Sequence, residues 1–444
     1  MKKIAILGGG ESGVGTAILA QKQSMDVWLS DMGQIRPKYQ EMLDSHQIAW
    51  EQGGHSEEKI LTADLVVKSP GIPDKAPIIQ KLIAQGTPIL SELEFARPYS
   101  KGKTICITGS NGKTTTTTLI YHIMKQSGAD VGLAGNIGRS YALQVAEEDH
   151  EWYVLEISSF QLDNMFTFRA DIAVLMNIPP DHLARYNFEM QNYTDSKMRI
   201  LQNQTPEDSF VYWKEDLLIP TELEKRAHGY APQPTPSSRP AAPGTPALHP
   251  FEDSDFERLG LTFSQMGQHN KRNALAAYLA TKLAGVDEQL IRQCLVTFPG
   301  VEHRLERVEE VDGVLYINDS KATNVDACHV ALKAMDRPTV LIVGGLDKGN
   351  DYSTIAPIIK EKCRAIVLLG ADNAVPRAAL EGTGLPLADT HCMSDCVAAC
   401  RRMAHAGDAV LLSPCCASFD LFKNMEDRGE QFKTLVRQMR SNNI

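Results

Sequence analysis

The segment Thr104-Ile105-Cys106-Ile107-Thr108, followed at once by Gly109-Ser110-Asn111-Gly112-Lys113-Thr114, constrains this chain more than any other. A continuous apolar, β-branched run predicts a strand buried on both faces, and so a parallel sheet covered by helices. Glycines at its exit let the backbone wrap an anion. A helix opening there offers free N–H groups and the positive end of its dipole. In such a loop Lys113 reaches the β- and γ-phosphates of a nucleotide, and the Thr114 hydroxyl ligates Mg²⁺. The strict pattern asks for glycine at 107, where Ile107 stands, so this is a shortened relative. The plain alternative is a glycine turn carrying an exposed lysine. Thr114 to Thr118 are five consecutive poor helix formers and need a tertiary reason to open a helix.

Similar runs recur at Ile4 to Leu7, Leu65 to Val67, Tyr153 to Ile157 and Ile172 to Met176, then at Val340 to Val343, Ala365 to Leu369 and Ala409 to Leu412. Helical segments separate them, which reads as repeated βα units. Three blocks are expected: 1–97, 98–299 and 300–444. The first is Rossmann-like, the second a nucleotide-loop domain with a mostly parallel sheet, and the third Rossmann-like again with three strand signals. The 444 residues suffice for two to four domains. Residues 231–250, rich in proline, read as an exposed loop within the second block, or as a proline-rich docking motif.

A net charge of −10 argues against nucleic acid as principal partner, because phosphate contacts need a basic face. Small anions remain open, since local helix ends and lysines can bind them. The N-terminal apolar run stops at Gly8 and is followed by Glu11, so no signal-peptide core is expected. No stretch approaches the roughly 18 apolar residues of a membrane span. Nine cysteines without a disulfide pattern suit a reducing compartment, so a cytoplasmic location is expected. Cys392, Cys396 and Cys400 are four apart and would share a helix face; a buried face fits better than a metal site lacking a fourth ligand.

Gly8-Gly9-Gly10-Glu11-Ser12-Gly13 satisfies GxGxxG after the first strand, and Gly15 follows. Asp31 closes the next strand-like run, where a ribose-binding acid belongs in a dinucleotide fold. The same turn can cradle a UDP group, or bind nothing.

The motifs together resemble the Mur ligases, ATP-dependent amino-acid ligases of peptidoglycan precursor synthesis. The resemblance is carried by TGSNGKTT, Glu156-Ile157-Ser158-Ser159-Phe160-Gln161-Leu162 and Asn177-Ile178-Pro179-Pro180-Asp181-His182-Leu183. It continues through Gly267 to Asn273, Pro299 to Arg304, Asn318 to Asn324, Gly344 to Gly349 and Leu412 to Asp420. Within the family, the ESSFQL-like and SPCCASFD segments are most similar to the member that adds D-glutamate. No DNPR-type segment, found in the diaminopimelate-adding member, is present.

The resemblance implies that ATP phosphorylates the carboxylate of UDP-N-acetylmuramoyl-L-alanine and that the D-glutamate amine displaces phosphate. It implies roles for Lys113, Glu156, His182 and Lys197 in catalysis, with two Mg²⁺ sites drawn from Thr114, Glu156, His182 and a carbamylated Lys197. ATP contacts carry over to Gly109, Ser110, Asn111, Gly112, Lys113, Thr114, Thr115, Asn270, Asn273, Arg304 and Asp319. The UDP-substrate is assigned Gly10, Ser12, Gly13, Asp31, Gly71, Asn136, Gln161 and His182. D-Glutamate is assigned Lys321, Thr323, Lys348, Ser418 and Phe419. Met425 departs from the phenylalanine common in the D-glutamate enzyme. Hinged blocks, a monomer, and no nucleic-acid or membrane partner are expected. Two other classes stay open: a nicotinamide oxidoreductase built on the first glycine turn, and a nucleotide-binding protein without turnover. Within the family, another amino-acid ligase or a folate-extending enzyme is the nearer alternative.

Overall fold

The computed structural model describes residues 1–230, 244–347 and 349–441. Its first sheet holds β1 (Lys3–Leu7), β2 (Asp26–Asp31), β3 (Ala49–Gln52), β4 (Leu65–Lys68) and β5 (Ile89–Leu90), ordered 3-2-1-4-5 and parallel throughout. The chain leaves β1 toward β2 and β3, then returns to β4 on the other side. A crevice therefore opens beyond the ends of β1 and β4.

The second sheet holds β6 (Lys103–Thr108), β7 (Val131–Gly135), β8 (Trp152–Glu156), β9 (Ile172–Leu175), β10 (Ser209–Trp213) and β11 (Ala247–Phe251). It is also parallel, with order 11-10-9-6-8-7. The third holds β12 (Glu306–Val311), β13 (Val314–Asn318), β14 (Thr339–Gly344), β15 (Cys363–Leu369), β16 (Leu387–Thr390) and β17 (Ala409–Cys415), ordered 12-13-17-14-15-16. Only the β12–β13 pair in this sheet is antiparallel, joined through Asp312 and Gly313, both at positive φ. The expected α/β architecture with mostly parallel sheets is thus observed.

All eight strand-like runs are strands. Among the described residues the third block has six strands rather than three: β12 is a charged edge strand, β16 is short, and β13, a buried apolar run, was not among the expected ones. The loop expected over 231–250 is corrected in part: residues 247–250 belong to edge strand β11, where Pro250 gives up no needed donor. Residues 231–243 lie outside the described residues. The cysteine stripe is also only partly buried. Cys396 and Cys400 are covered on the helix Met393–Met403, while Cys392 precedes it and is exposed. All nine thiols are free. Among the described residues no helix is long and apolar enough to cross a membrane.

Contacts divide the chain into two compact units, Met1–Phe263 with His269–Phe298, and Ser264–Gln268 with Pro299–Ile444. In the first unit one apolar core runs through both sheets, joining Ile6, Val14 and Leu93 to Leu143, Tyr153 and Leu155. Gly15 permits this closeness, since a Cβ there would lie 2.0 Å from Ser140 Oγ. A polar clamp reinforces it. The buried Glu94 carboxylate accepts the amides of Phe166, Thr167 and Phe168 at 2.8–3.0 Å and the Thr167 hydroxyl at 2.6 Å. The second unit buries its third sheet between two apolar clusters, one on each face.

Candidate active site

The nucleotide-type loop lies at the end of β6, between its neighbours β9 and β8. Gly109 and Gly112 take φ of +144° and +84°, and the helix Lys113–Gln126 begins directly after them. The loop is latched by Asn177, just beyond β9. Its side chain accepts from the Asn111 amide at 2.9 Å and donates to the Asn111 carbonyl at 3.1 Å. Ser110 donates to the Pro179 carbonyl at 2.8 Å and meets the Tyr193 hydroxyl at 2.7 Å. Lys113 Nζ donates to the Gly109 and Ser110 carbonyls at 2.8 Å each, which centres a positive charge over the loop. Thr115, Thr116 and Thr117 are buried against the core, which supplies the tertiary reason for the threonine run. Thr114 is half-buried in the first turn. Asn270 and Asn273 share a face of the helix Gln268–Leu283, linked at 3.1 Å. A Cβ on Gly112 would lie 2.4 Å from Asn273 Oδ1, so the pair abuts the loop.

Glu156 ends β8. Gly135, at φ +98°, turns β7 so tightly that an added Cβ would meet the Glu156 carbonyl at 2.2 Å, and this brings Asn136 onto Glu156. The Asn136 side chain donates to Glu156 Oε1 at 2.9 Å. Glu156 Oε2 is buried and has no hydrogen-bond partner among the described residues. A buried carboxylate oxygen left unpaired is costly. A divalent cation would satisfy it, so the residue fits Mg²⁺ ligation. Lys197, on the helix Met190–Met198, is 2 % exposed. Its Nζ donates to the Gly109 carbonyl at 2.9 Å and the Thr108 hydroxyl at 3.3 Å. Burial, and then the nearby Lys113 charge, hold its pKa well below the usual lysine range. His182 is exposed in left-handed backbone (φ +51°), its ring 5.2 Å from that of Phe160.

A cavity of about 330 Å³ opens at the first sheet's crevice. Ser12, Gly71, Asn136 and Gln161 line it, four of the residues expected to meet the UDP-substrate. Gly10 and Gly13 shape the turn beside it; a Cβ on Gly13 would lie 1.9 Å from the Gly8 carbonyl. Asp31 does not line the cavity. It braces the glycine turn, accepting from the Gly9 amide at 2.6 Å and the Gly33 amide at 2.7 Å. His182 is also absent from the lining. Glu11 and Ser140 line the cavity without having been anticipated. Glu11 is held by the Tyr39 hydroxyl at 2.7 Å. Its position inside GxGxxG was a signal; Ser140 had none.

In the second unit, Asp319 lies beyond β13 and is fully buried, accepting from the Ser413 hydroxyl at 2.9 Å and the Leu305 amide at 3.2 Å. Burial pushes its carboxyl up to about 7, opposed by those bonds and by Arg304. Arg304 keeps a buried Nε without a hydrogen-bond partner among the described residues. Lys321 and Thr323 follow in one turn, the Thr323 amide donating to the Lys321 carbonyl at 3.0 Å. Ser418 is buried and Phe419 is 65% exposed beyond β17. Lys348 lies outside the described residues. The buried Arg428 was not anticipated; it ties the Ser320 hydroxyl and carbonyl (2.9 Å each) to the Cys416 carbonyl (3.1 Å). The half-buried Met425 accepts from the Ser320 hydroxyl through its carbonyl at 2.8 Å.

Three family models match the chain in sequence: Mur ligase MurD-like, N-terminal domain over 2–91; Mur ligase middle domain over 107–281; and Mur ligase, glutamate ligase domain over 303–416. The chain belongs to the Mur ligase family. A relative from Bacteroides fragilis named UDP-N-acetylmuramoylalanine–D-glutamate ligase is 55% identical over 99% of this chain and 100% of its own length. Relatives of the same name from Christiangramia forsetii and Porphyromonas gingivalis are 48% and 46% identical, covering 99% and 98% of this chain and 100% and 98% of their own lengths. Among solved structures, UDP-N-acetylmuramate-alanine ligase from Thermotoga maritima shares the fold at TM-score 0.58 and 18% identity, with both chains fully covered. The MurF ligase of that organism, in complex with ADP, does so at 0.56 and 14%, over 94% of this chain and 96% of that one.

Proposed function

We propose that the chain joins D-glutamate to the carboxylate of UDP-N-acetylmuramoyl-L-alanine, using ATP and Mg²⁺, in peptidoglycan precursor synthesis. One observation carries the reading. Glu156 commits one oxygen to Asn136 in the cavity wall and keeps the other buried and unpaired near the nucleotide-type loop. A single side chain thus connects a substrate cavity to a place for a cation. Full-length relatives bearing the D-glutamate ligase name support the choice of substrates.

A carboxylate resists an amine because its oxygen is a poor leaving group. Transfer of the ATP γ-phosphoryl group to that oxygen gives an acyl phosphate and ADP. The D-glutamate amine then attacks the acyl carbon, and the tetrahedral intermediate expels phosphate to leave the amide. The protein's part is positioning and charge neutralisation. Lys113 and the free amides at the helix start hold the phosphates, with Gly109, Ser110, Asn111, Gly112, Thr115, Asn270, Asn273, Arg304 and Asp319 completing nucleotide recognition. Thr114, Glu156, His182 and Lys197 would hold Mg²⁺. Bound there, the ion offsets charge on the transferring phosphoryl group. Lys197 suits carbamylation: a buried, uncharged amine attacks CO₂ and loses a proton, giving an anion.

Gly10, Ser12, Gly13, Asp31, Gly71, Asn136 and Gln161 serve the UDP-linked precursor. Lys321, Thr323, Lys348, Ser418 and Phe419 serve the D-glutamate carboxylates and their surroundings. Blocks 1–97, 98–299 and 300–444 take precursor, ATP and amino acid in turn, in a cytoplasmic monomer. The test is phosphate release from ATP with Mg²⁺ and the precursor while the amino acid is varied. Release with D-glutamate, and none with L-glutamate or meso-diaminopimelate, is expected. Release only with another amino acid would reassign the substrate, and silence with all of them would remove the ligase reading.

A further inference from the structure

Gly71, in the cavity wall, sits between two carbonyls that are each gripped by a cation. The Ile72 carbonyl accepts from Lys68 Nζ at 2.9 Å, a buried lysine that closes β4 of the same sheet. The Pro70 carbonyl accepts from Arg185 Nη1 at 3.0 Å, and Arg185 comes from the second sheet's side of the unit, three residues after His182. The Arg185 guanidinium lies 3.9 Å over the Phe160 ring. That ring also meets His182, at 5.2 Å between centroids, and Phe160 adjoins the cavity-lining Gln161. The Arg185 amide donates to the His182 carbonyl at 2.9 Å, which folds the His182 segment into a short turn. One residue of the segment that carries His182 therefore reaches, through its guanidinium, both the cavity wall and the aromatic platform.

We propose that Arg185 is a positioning residue for the UDP-linked precursor. It fixes the Pro70–Ile72 wall of the cavity against the Phe160 platform, and so holds the cavity and the His182 turn in one arrangement. This rests on the function proposed above. Arginine suits the task because a flat guanidinium stacks on an aromatic face while its edge donates to a carbonyl. Lysine has neither the plane nor the fork. If instead Arg185 merely braced the fold, its loss would weaken every ligand and the melting temperature alike.

The test is calorimetric binding of UDP-N-acetylmuramoyl-L-alanine, and separately of Mg²⁺-ATP, to the full-length wild type, Arg185→Lys, Phe160→Leu and the double variant. Each single change should weaken precursor binding about tenfold, the scale of one lost charged hydrogen bond. The double variant should also lose about tenfold rather than the hundredfold of independent contacts, because both changes break one stack. ATP affinity should stay within about twofold. Unchanged precursor affinity in Arg185→Lys would overturn the proposal. So would equal losses for ATP and precursor, or additive losses in the double variant. A wild type that binds no precursor at all would overturn the functional reading itself, an outcome distinct from any change confined to the variants.

Discussion

Lys113 and Lys197 share one acceptor: both side-chain nitrogens lie within hydrogen-bond reach of the Gly109 carbonyl oxygen, at 2.8 and 2.9 Å. Two cations cannot converge on one oxygen without mutual repulsion, and Lys197 is the buried one. Burial and the Lys113 charge accordingly favour its neutral form.

Replacing Lys197 by methionine, similar in size and uncharged, should abolish ligation yet raise the melting temperature at pH 7 by a few degrees. The sign follows from linkage. The folded pKa lies below the unfolded one, so the unfolded chain binds the proton more tightly and wild-type stability rises with pH across that window. The gain from methionine should shrink as pH approaches the ordinary lysine pKa. Thermal melts at pH 7 and 9.5 decide this, and a variant that melts lower than wild type at both would refute it.

Glu156→Gln keeps the shape and an oxygen for Asn136 but removes the charge that suits a cation. Phosphate release should fall by about 10²–10³-fold, and raising Mg²⁺ should recover part of it. Precursor binding without ATP should change little. Titrating Mg²⁺ against rate in both proteins is the check. Full activity in the variant would exclude Glu156 from cation binding.

Asp319 offers a pH signature in the second unit. Its folded pKa is raised to about 7, so its stabilising contribution is complete below the unfolded carboxylate pKa and is lost as pH rises through about 7. Asp319→Asn should therefore gain on wild type as pH rises, the gap in unfolding free energy widening by roughly 2–3 kcal/mol between pH 5 and pH 8.5. Denaturant titrations at the two pH values measure the difference, and a variant that gains nothing on wild type between them would contradict the assignment.

Glu94→Gln should cost about 2–4 kcal/mol in the first unit, because its NH₂ would replace one carboxylate oxygen and face donors, either the Phe166 and Phe168 amides or the Thr167 amide, that now have an acceptor. Glu94→Asp should cost less if the shorter carboxylate still reaches Thr167. Chemical denaturation of both variants gives the order, and equal stability of Gln and wild type would mean that the clamp contributes nothing.

Much of the fold was legible because parallel strands buried on both faces are written as local apolar runs. β6, β8, β14 and β17 announce themselves without reference to any other segment. Edge strands such as β12 carry charge on their exposed side and so hid, as did β11 behind its prolines. The loop around Lys113 was legible for a similar reason: strand, glycines and helix start are consecutive in the chain.

The local sequence by itself determined the strands, the glycine turns and the residue types able to carry phosphate and cation chemistry, because backbone sterics and hydrophobic periodicity act over neighbouring residues. Only the tertiary structure decided that Asp31 braces a turn rather than lining the cavity, and that Glu156 has one oxygen spoken for. It alone set Arg185 on Pro70, which is 115 positions away in the chain. Hydrogen-bond partners and burial depend on which strand ends meet at a crevice. That is settled by strand order, which no local spacing encodes.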